Sequence, residues 1–153
     1  MTRRFEGSVL DKVTPEDVAS LLRELASSGG PEGFGGIAIF VGCVKGLVDG
    51  KRVKRLVYEA YEPFASRKLR EISESFSSDP NVNSVVIAHA SGELSPGDIA
   101  LFIAVSARDR KRALEALSSA LERVKAEAPI FKLEVREDGE FYVVGNSVRV
   151  KRT

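Results

Sequence analysis

The sequence turns from a long predicted helix into a strand within the stretch Lys125-Ala126-Glu127-Ala128-Pro129-Ile130-Phe131-Lys132-Leu133-Glu134. Pro129 ends the helix, because its ring removes a backbone donor and clashes with the preceding turn. The residues after it alternate between apolar and polar, as in a half-buried strand. A sharp turn here brings the amines of Lys125 and Lys132 near one point. Two neighbouring cations are unfavourable unless an anion or a reacting group lies between them.

Length and composition limit the class of protein. The 153 residues predict a single domain, residues 1–153, and 23 Lys+Arg against 22 Asp+Glu give a net charge of only +1. Such a balance does not attract nucleic acid or membranes. One cysteine excludes an intramolecular disulfide, residues 1–7 lack the apolar run of a signal peptide, and no segment approaches the roughly 20 apolar residues of a membrane span. We therefore expect a cytoplasmic protein with no nucleic-acid or membrane partner.

Helix and strand signals follow in the order helix, strand, strand, helix, strand, strand, helix, strand, strand. Thr14 is the predicted N-cap of the first helix, followed by proline and two acids. The other helices are expected at about 63–76 and 110–126, and strands at 36–44, 53–61, 83–89, 99–107, 131–135 and on both sides of a turn at Asp138-Gly139. Strands joined by short links usually pair antiparallel, so we predict an α+β fold with helices packed on antiparallel or mixed sheets.

Three finer expectations concern burial and connections. The uninterrupted apolar run at 36–44 predicts a strand buried on both faces. In the third helix, the residues predicted to face the core are Leu114, Leu117, Leu121 and Val124. Residues 45–51 contain glycine and are expected to form a mobile connection, and residues 92–98 a turn.

Three clusters could carry chemistry, and each also has a plain structural reading. Lys125 and Lys132 could form a cationic pocket for a phosphate or an activated amine, or could be two solvated surface lysines. The run 108–112 places arginines at a helix start, where backbone N–H groups attract anions, or is an exposed charged turn. The glycines of the segment 40–46 could let a ligand approach the backbone, with Lys45 directed at it, or could mark an ordinary strand end.

Cys43 and His89 are each the single residue of their type. The neighbours of Cys43 are apolar, which favours a small core hydrophobe over a nucleophile. No second ligand stands at metal-binding spacing from His89, so we expect no metal site and favour a structural histidine, with pocket lining as the alternative. RNA binding through residues 108–112 and the basic tail is disfavoured, because these segments lack interleaved exposed aromatic residues.

Five motifs lie in one order between about Gly36 and Val143. They are Phe40-x-Gly42-x-Val44-Lys45-Gly46, Tyr58-Glu59-Ala60-Tyr61, His89-x-x-Gly92-Glu93-Leu94-x-x-Gly97-Asp98, Ala104-Val105-Ser106 leading to Arg110, and Lys125-x-x-Ala128-Pro129-Ile130-Phe131-Lys132-x-Glu134. Together they resemble the MoaE family, the large catalytic subunit of molybdopterin synthase.

The resemblance implies a MoaE-like (α/β-hammerhead) fold and a sulfurtransferase of molybdenum cofactor biosynthesis. Sulfur would pass twice from the C-terminal Gly-Gly thiocarboxylate of a small ubiquitin-like subunit to cyclic pyranopterin monophosphate, forming the dithiolene of molybdopterin. The resemblance implies a homodimer of the large subunit with one small subunit bound at each end, which makes a heterotetramer. It also implies that sulfur transfer needs no cofactor. This sequence ends in Lys151-Arg152-Thr153, so we expect the sulfur carrier to be a separate chain.

The resemblance also implies residue roles. Lys125 would be the amine beside the thiocarboxylate, and Lys132 would hold negative charge as the cyclic phosphate opens. Other expected substrate contacts are Cys43, Val44, Lys45, Leu133, Glu134 and, given across the dimer, Asp109 and Arg110. The expected pocket lining comprises Phe40, His89, Arg108 and Phe131.

Four positions depart from the family pattern. Lys45 replaces an arginine, Asp109 a histidine, Phe131 a tryptophan, and His89 is followed by alanine instead of arginine. Asp109 puts an acid where the family has a cationic donor. The alternative function is therefore a non-catalytic paralogue that binds an anionic ligand or a small ubiquitin-like protein.

Overall fold

The computed structural model describes residues 3–29, 33–144 and 148–153. Within them the chain forms three helices: α1 (Pro15–Ser27), α2 (Phe64–Glu74) and α3 (Arg110–Glu127). The strands are β1 (Arg4–Leu10), β2 (Gly36–Cys43), β3 (Leu47–Val48), β4 (Lys51–Ala60), β5 (Val82–Ala90), β6 (Gly92–Leu94), β7 (Ile99–Ala107), β8 (Ile130–Arg136), β9 (Gly139–Val144) and β10 (Val148–Lys151). The predicted α+β class is confirmed.

The strands form two sheets. One has four strands in the order β1-β5-β7-β2, and the other has the order β10-β9-β8-β4-β3, with β6 also paired to β4. β1 runs parallel to β5, whereas every other pairing among the described strands is antiparallel. The first sheet is therefore mixed and the second antiparallel.

The four-stranded sheet is covered on both faces. Leu69 and Ile72 of α2 and the alanine face of α3 pack on one side of it. On the other side, Leu21 and Leu25 of α1 and Tyr58 of β4 belong to a second core cluster that includes Phe102 of β7. Because α3 leads directly into β8, the C-terminal end of this helix lies where the two sheets meet.

Two local predictions hold in detail. Thr14 and Asp17 form a reciprocal capping box at the start of α1, with proline in the first turn. The tight hairpin expected at Asp138-Gly139 joins β8 to β9, with Arg136 opposite Gly139. No helix among the described residues is both long and apolar enough to cross a membrane.

The strand connectivity departs from the sequence-based prediction. β1 was missed, because its polar residues hide the strand pattern and its partner, β5, is about 80 residues away. The strands predicted at 36–44 and 53–61, which correspond to β2 and β4, do not pair with each other; β2 pairs with β7 and β4 pairs with β8. The segments expected as a mobile connection and a turn contain the short strands β3 and β6, both paired to β4.

The burial of β2 and α3 also differs from expectation. β2 is an edge strand and only half-buried, since a strand at the edge lacks a neighbour on one side. In α3 the core-facing residues are Ala113, Ala116, Ala120 and Val124. Of the four residues predicted to face the core, Val124 does so, Leu117 and Leu121 are partly buried and pack against the core, and Leu114 is 59% exposed. Small alanines let the helix approach the sheet closely and leave the leucines along its side.

Candidate active site

The junction between α3 and β8 brings Lys125 and Lys132 to one cavity. Ala128, the residue before Pro129, adopts an extended conformation, as proline requires of the residue before it. β8 then begins at Ile130 and places Lys132 on its third position. Both lysines line a cavity of about 330 Å³. The convergence predicted from the sequence is therefore present in the fold.

Strand register places further side chains on the same face of the second sheet. Tyr58 lies opposite Lys132, Lys132 opposite Val143, and Val143 opposite Arg149. Directly opposed residues of antiparallel strands share a face. Arg149, on the last strand, is consequently in the same row as Lys132, two strand spacings or about 10 Å away.

The cavity is rich in positive charge. Lys45, Lys125, Lys132 and Arg149 line it, together with one carboxylate, Glu134. Glu134 is 3% exposed, and Arg149 donates to it through Nε at 2.9 Å and Nη2 at 3.3 Å. Since this carboxylate is already paired, the remaining field in the cavity favours anions.

Lys125 is exposed and Lys132 half-buried, but the cavity wall partly desolvates both amines. Desolvation lowers the pKa of Lys125 from its usual value. The pKa of Lys132 is lowered first by desolvation and then by the positive charge of Lys125. Each amine therefore loses its proton more readily than a surface lysine, while an arriving anion would restore the preference for the charged form.

Two aromatic residues complete the wall between the lysines. The His89 ring meets Tyr58 edge to face, with ring centroids 4.9 Å apart. His89 Nδ1 lies 2.7 Å from the carbonyl oxygen of Ala90, which can only accept, so Nδ1 carries the proton. Desolvation lowers the pKa of His89 to about 4 and, with the charge of Glu134, raises that of Tyr58 to about 12. Both groups are neutral at physiological pH.

A smaller hollow of about 80 Å³ adjoins the main cavity. The two share Tyr58, His89, Lys125 and Lys132 as lining residues. The smaller hollow is otherwise bounded by Val124, Ala128, Ile130 and Val143. The lysine pair thus lies between two recesses of different size.

Other sequence-predicted residues take varied positions. Phe40 and His89 line the main cavity. Val44 is buried beside the cavity-lining residues Cys43 and Lys45. Phe131 is exposed and stacks edge to face on Tyr61.

The orientation of Leu133 follows from strand alternation. Leu133 lies opposite Val57 and Tyr142, and it alternates with Lys132 along β8. Successive side chains of a strand point to opposite faces. Leu133 is therefore directed away from the cavity.

The expected contacts at residues 108–110 lie far from the lysines of the same chain. Fifteen helical residues, about 22 Å, separate Arg110 from Lys125. Asp109 is the N-cap of α3 and accepts from the Arg112 backbone N–H at 2.9 Å. Arg108 lines a different cavity, of about 670 Å³, which Arg3 also lines. One chain alone does not unite these residues with the lysines.

The structure revises Cys43 and adds residues that the sequence did not indicate. Cys43 is exposed, contrary to the expected core position, because the register of β2 shifts between Gly42 and Cys43 at the sheet edge. Tyr58 belongs to one of the five sequence motifs, but the sequence did not indicate a role for it in the site. The sequence did not indicate Arg149, since its place in the row depends on the pairing of β10 with β9 and of β9 with β8.

The described residues hold no group of three or more His, Cys, Asp or Glu side chains that could bind a metal ion. The features that remain are an α+β fold of two sheets and a cationic cavity where they meet. This arrangement is typical of a protein whose cavity favours small anions at the junction of two sheets.

Comparison with known proteins identifies the family. A family model described as MoaE protein matches residues 12–127. The molybdopterin synthase catalytic subunit of Bacillus subtilis (strain 168) is 43% identical over 109 residues, covering 71% of this chain and 69% of the relative. The subunit of the same name from Pyrococcus abyssi (strain GE5 / Orsay) is 38% identical over 120 residues, covering 77% and 80%.

The fold comparison agrees. The X-ray crystal structure of molybdopterin synthase from Staphylococcus aureus matches with a TM-score of 0.76 at 32% identity, covering 92% of this chain and 97% of that one. The chain belongs to the MoaE protein family. Lys125 lies inside the range matched by the family model, and Lys132 lies five residues beyond its end.

Proposed function

We propose that this chain is the catalytic subunit of a molybdopterin synthase. It transfers sulfur from the C-terminal thiocarboxylate of a small ubiquitin-like partner to cyclic pyranopterin monophosphate. Each transfer forms a carbon–sulfur bond on the pterin while a carbon–oxygen bond of the same carbon breaks, with the opened phosphate ester as the leaving group in one transfer and water in the other. Water then cleaves the acyl carbon–sulfur bond and restores the carboxylate of the partner. Two partner molecules are consumed for each dithiolene. The observation that carries the proposal is the convergence of Lys125 and Lys132 in one cationic cavity.

The charge of the cavity suits the two reactants. Both the thiocarboxylate and the cyclic phosphate are anions and repel each other in water. The cations around the cavity offset that repulsion and hold the reactants at short distance, so positioning and charge stabilisation supply the catalysis. The proposal requires no metal or redox cofactor for sulfur transfer.

The two recesses suggest how the reactants are arranged. The larger recess, of about 330 Å³, accommodates the pterin, and the smaller one receives the narrow carboxyl terminus of the partner. Lys125 and Lys132 border both recesses. In this arrangement Lys125 lies beside the thiocarboxylate and the reacting carbon, and Lys132 stabilises the charge released as the cyclic phosphate opens.

A homodimer would complete the site. Arg110 is too far from the lysines of its own chain to contact the same substrate. An apolar groove between β2 and α3, which includes Ile37, Ile39 and Leu114, borders Arg110 and supports pairing of two copies at this face. Pairing of two copies at this face would bring Arg110 of each copy to the interface, where the resemblance implies a contact across the dimer.

The alternative is a paralogue that binds without catalysis, and its basis is Asp109. Asp109 also has a structural reason to occupy this position, because its side chain caps the start of α3. The acid therefore carries less weight against catalysis than it does in the sequence alone. We place the protein in the cytoplasm, which its single cysteine supports.

Mass spectrometry of the pterin tests the proposal. The purified chain is mixed with a thiocarboxylated small subunit and cyclic pyranopterin monophosphate. The expected product carries two sulfur atoms, with release of two unmodified small subunits. Binding of the pterin without any sulfur incorporation, with a partner shown to be active on a known synthase, would support the non-catalytic alternative and refute the proposal.

A further inference from the structure

The last strand supplies the cavity with a guanidinium group that no sequence motif indicates. Arg149 lies on β10, in the same cross-strand row as Tyr58 and Lys132. It lines the main cavity, and its side chain keeps 18% of its surface exposed. Its charge is close enough to lower the pKa of Lys132. Arg149 is therefore part of the electrostatic environment of the proposed catalytic pair.

Glu134 holds Arg149 in this position. The carboxylate is buried on β8 and takes two N–H donors from the guanidinium, at 2.9 and 3.3 Å. Arg136, on the same strand, approaches the carboxylate at 3.6 Å from Nη1. A contact through two N–H groups fixes the plane of the guanidinium. A lysine amine, which acts as a point charge, has no such fixed orientation. Glu134 thus orients the arginine, although the resemblance implied that it contacts the substrate itself.

We propose that Arg149 is a substrate-binding residue that receives the phosphate-bearing end of the pterin, and that Glu134 is the positioning residue that aims it. The identity of the ligand rests on the proposed function. Lys45 keeps the positive charge of the family's arginine but lacks its planar, two-pronged donor geometry. Arg149 brings a guanidinium group to the same cavity from another strand.

Steady-state kinetics separate this role from a structural one. Arg149→Ala raises KM for cyclic pyranopterin monophosphate about ten- to a hundredfold, the size expected for lost hydrogen bonds to a charged group, and changes kcat less than about threefold. Arg149→Lys keeps the positive charge but lacks the planar donor geometry of the guanidinium. Its KM should lie between those of the native protein and Arg149→Ala. The matched control is Arg152→Ala, which removes an exposed arginine of the same terminal segment that pairs with Glu140 at 3.0 Å.

A double substitution gives the sharpest signature. In the otherwise native protein, Glu134→Gln raises KM, because Arg149 loses its charged anchor. In the Arg149→Ala background the same substitution lowers KM, because it removes a carboxylate left facing the anionic substrate. A purely structural role would give the same sign in both backgrounds.

The outcomes distinguish this inference from the proposed function. Equal KM values for Arg149→Ala and Arg152→Ala, in an enzyme that makes product, overturn the inference and leave the function intact. If the native protein makes no product, calorimetric titration with cyclic pyranopterin monophosphate still decides: an unchanged affinity in Arg149→Ala overturns the inference. Should Arg149→Ala fail to fold, the Arg149→Lys variant serves in both measurements, with native-like KM and affinity as the contradicting result.

Discussion

The neutral histidine in the cavity wall makes the stability of the protein sensitive to mild acid. His89 is 5% exposed, and its folded pKa of about 4 lies below the usual 6.5 of an unfolded chain. Between these values the unfolded state binds a proton that the folded state does not, so stability falls as the pH decreases. The two pKa values give a loss of about 2 kcal/mol between pH 7.5 and 5, and about 3 kcal/mol by pH 4.

Urea denaturation of the native protein and of His89→Asn at matched protein concentration measures this loss. The asparagine amide can still donate to the Ala90 carbonyl but does not titrate. Carboxylates with lowered pKa values, such as Asp79 and Asp138, destabilise the fold only near and below pH 4. We expect the native protein to lose about 2 kcal/mol more than the variant between pH 7.5 and 5. Parallel pH profiles, or an NMR resonance of this single histidine that titrates near 6.5, would refute the reasoning.

Three further substitutions test other parts of the account. Gly7→Ala would place a Cβ 2.3 Å from the backbone of α2 and should cost about 3 kcal/mol in urea denaturation, whereas Gly46→Ala meets nothing closer than 3.7 Å and serves as its control. Arg136→Met removes a guanidinium that lies 3.6 Å from the buried Glu134 carboxylate and should lower the free energy of unfolding by about 1 kcal/mol, because Glu134 keeps its pair with Arg149; an unchanged or raised stability would contradict it. Asp109→Asn keeps the helix cap, so stability should stay within about 0.5 kcal/mol while KM for the pterin falls, and an unchanged KM would remove Asp109 from the substrate's path.

Features set by neighbouring residues were predictable from the sequence. The cap of α1, the end of α3 at Pro129 and the β8–β9 hairpin each depend on a few adjacent side chains. The lysine pair belongs to this group, because only a short turn separates the end of the helix from the strand. Local chemistry therefore located the centre of the site.

Features that depend on distant pairing were not predictable. The parallel contact of β1 with β5 and the row that brings Arg149 beside Lys132 require strand register across long separations. Leu114 of α3 looks like a core residue in a helical pattern but is exposed, and only the packing on the sheet shows that the alanines are the buried residues of this helix.

The central claim is that the amines of Lys125 and Lys132 act together on two anionic reactants in one cavity. Single-turnover sulfur transfer from a thiocarboxylated small subunit tests it most directly, in Lys125→Ala, Lys132→Ala and the control Lys68→Ala, whose lysine pairs with a glutamate on α2 at 3.2 Å. The account predicts that each cavity variant loses rate about a hundredfold or more while the control keeps the native rate. Native rates of sulfur transfer in the folded Lys125→Ala and Lys132→Ala proteins would contradict it.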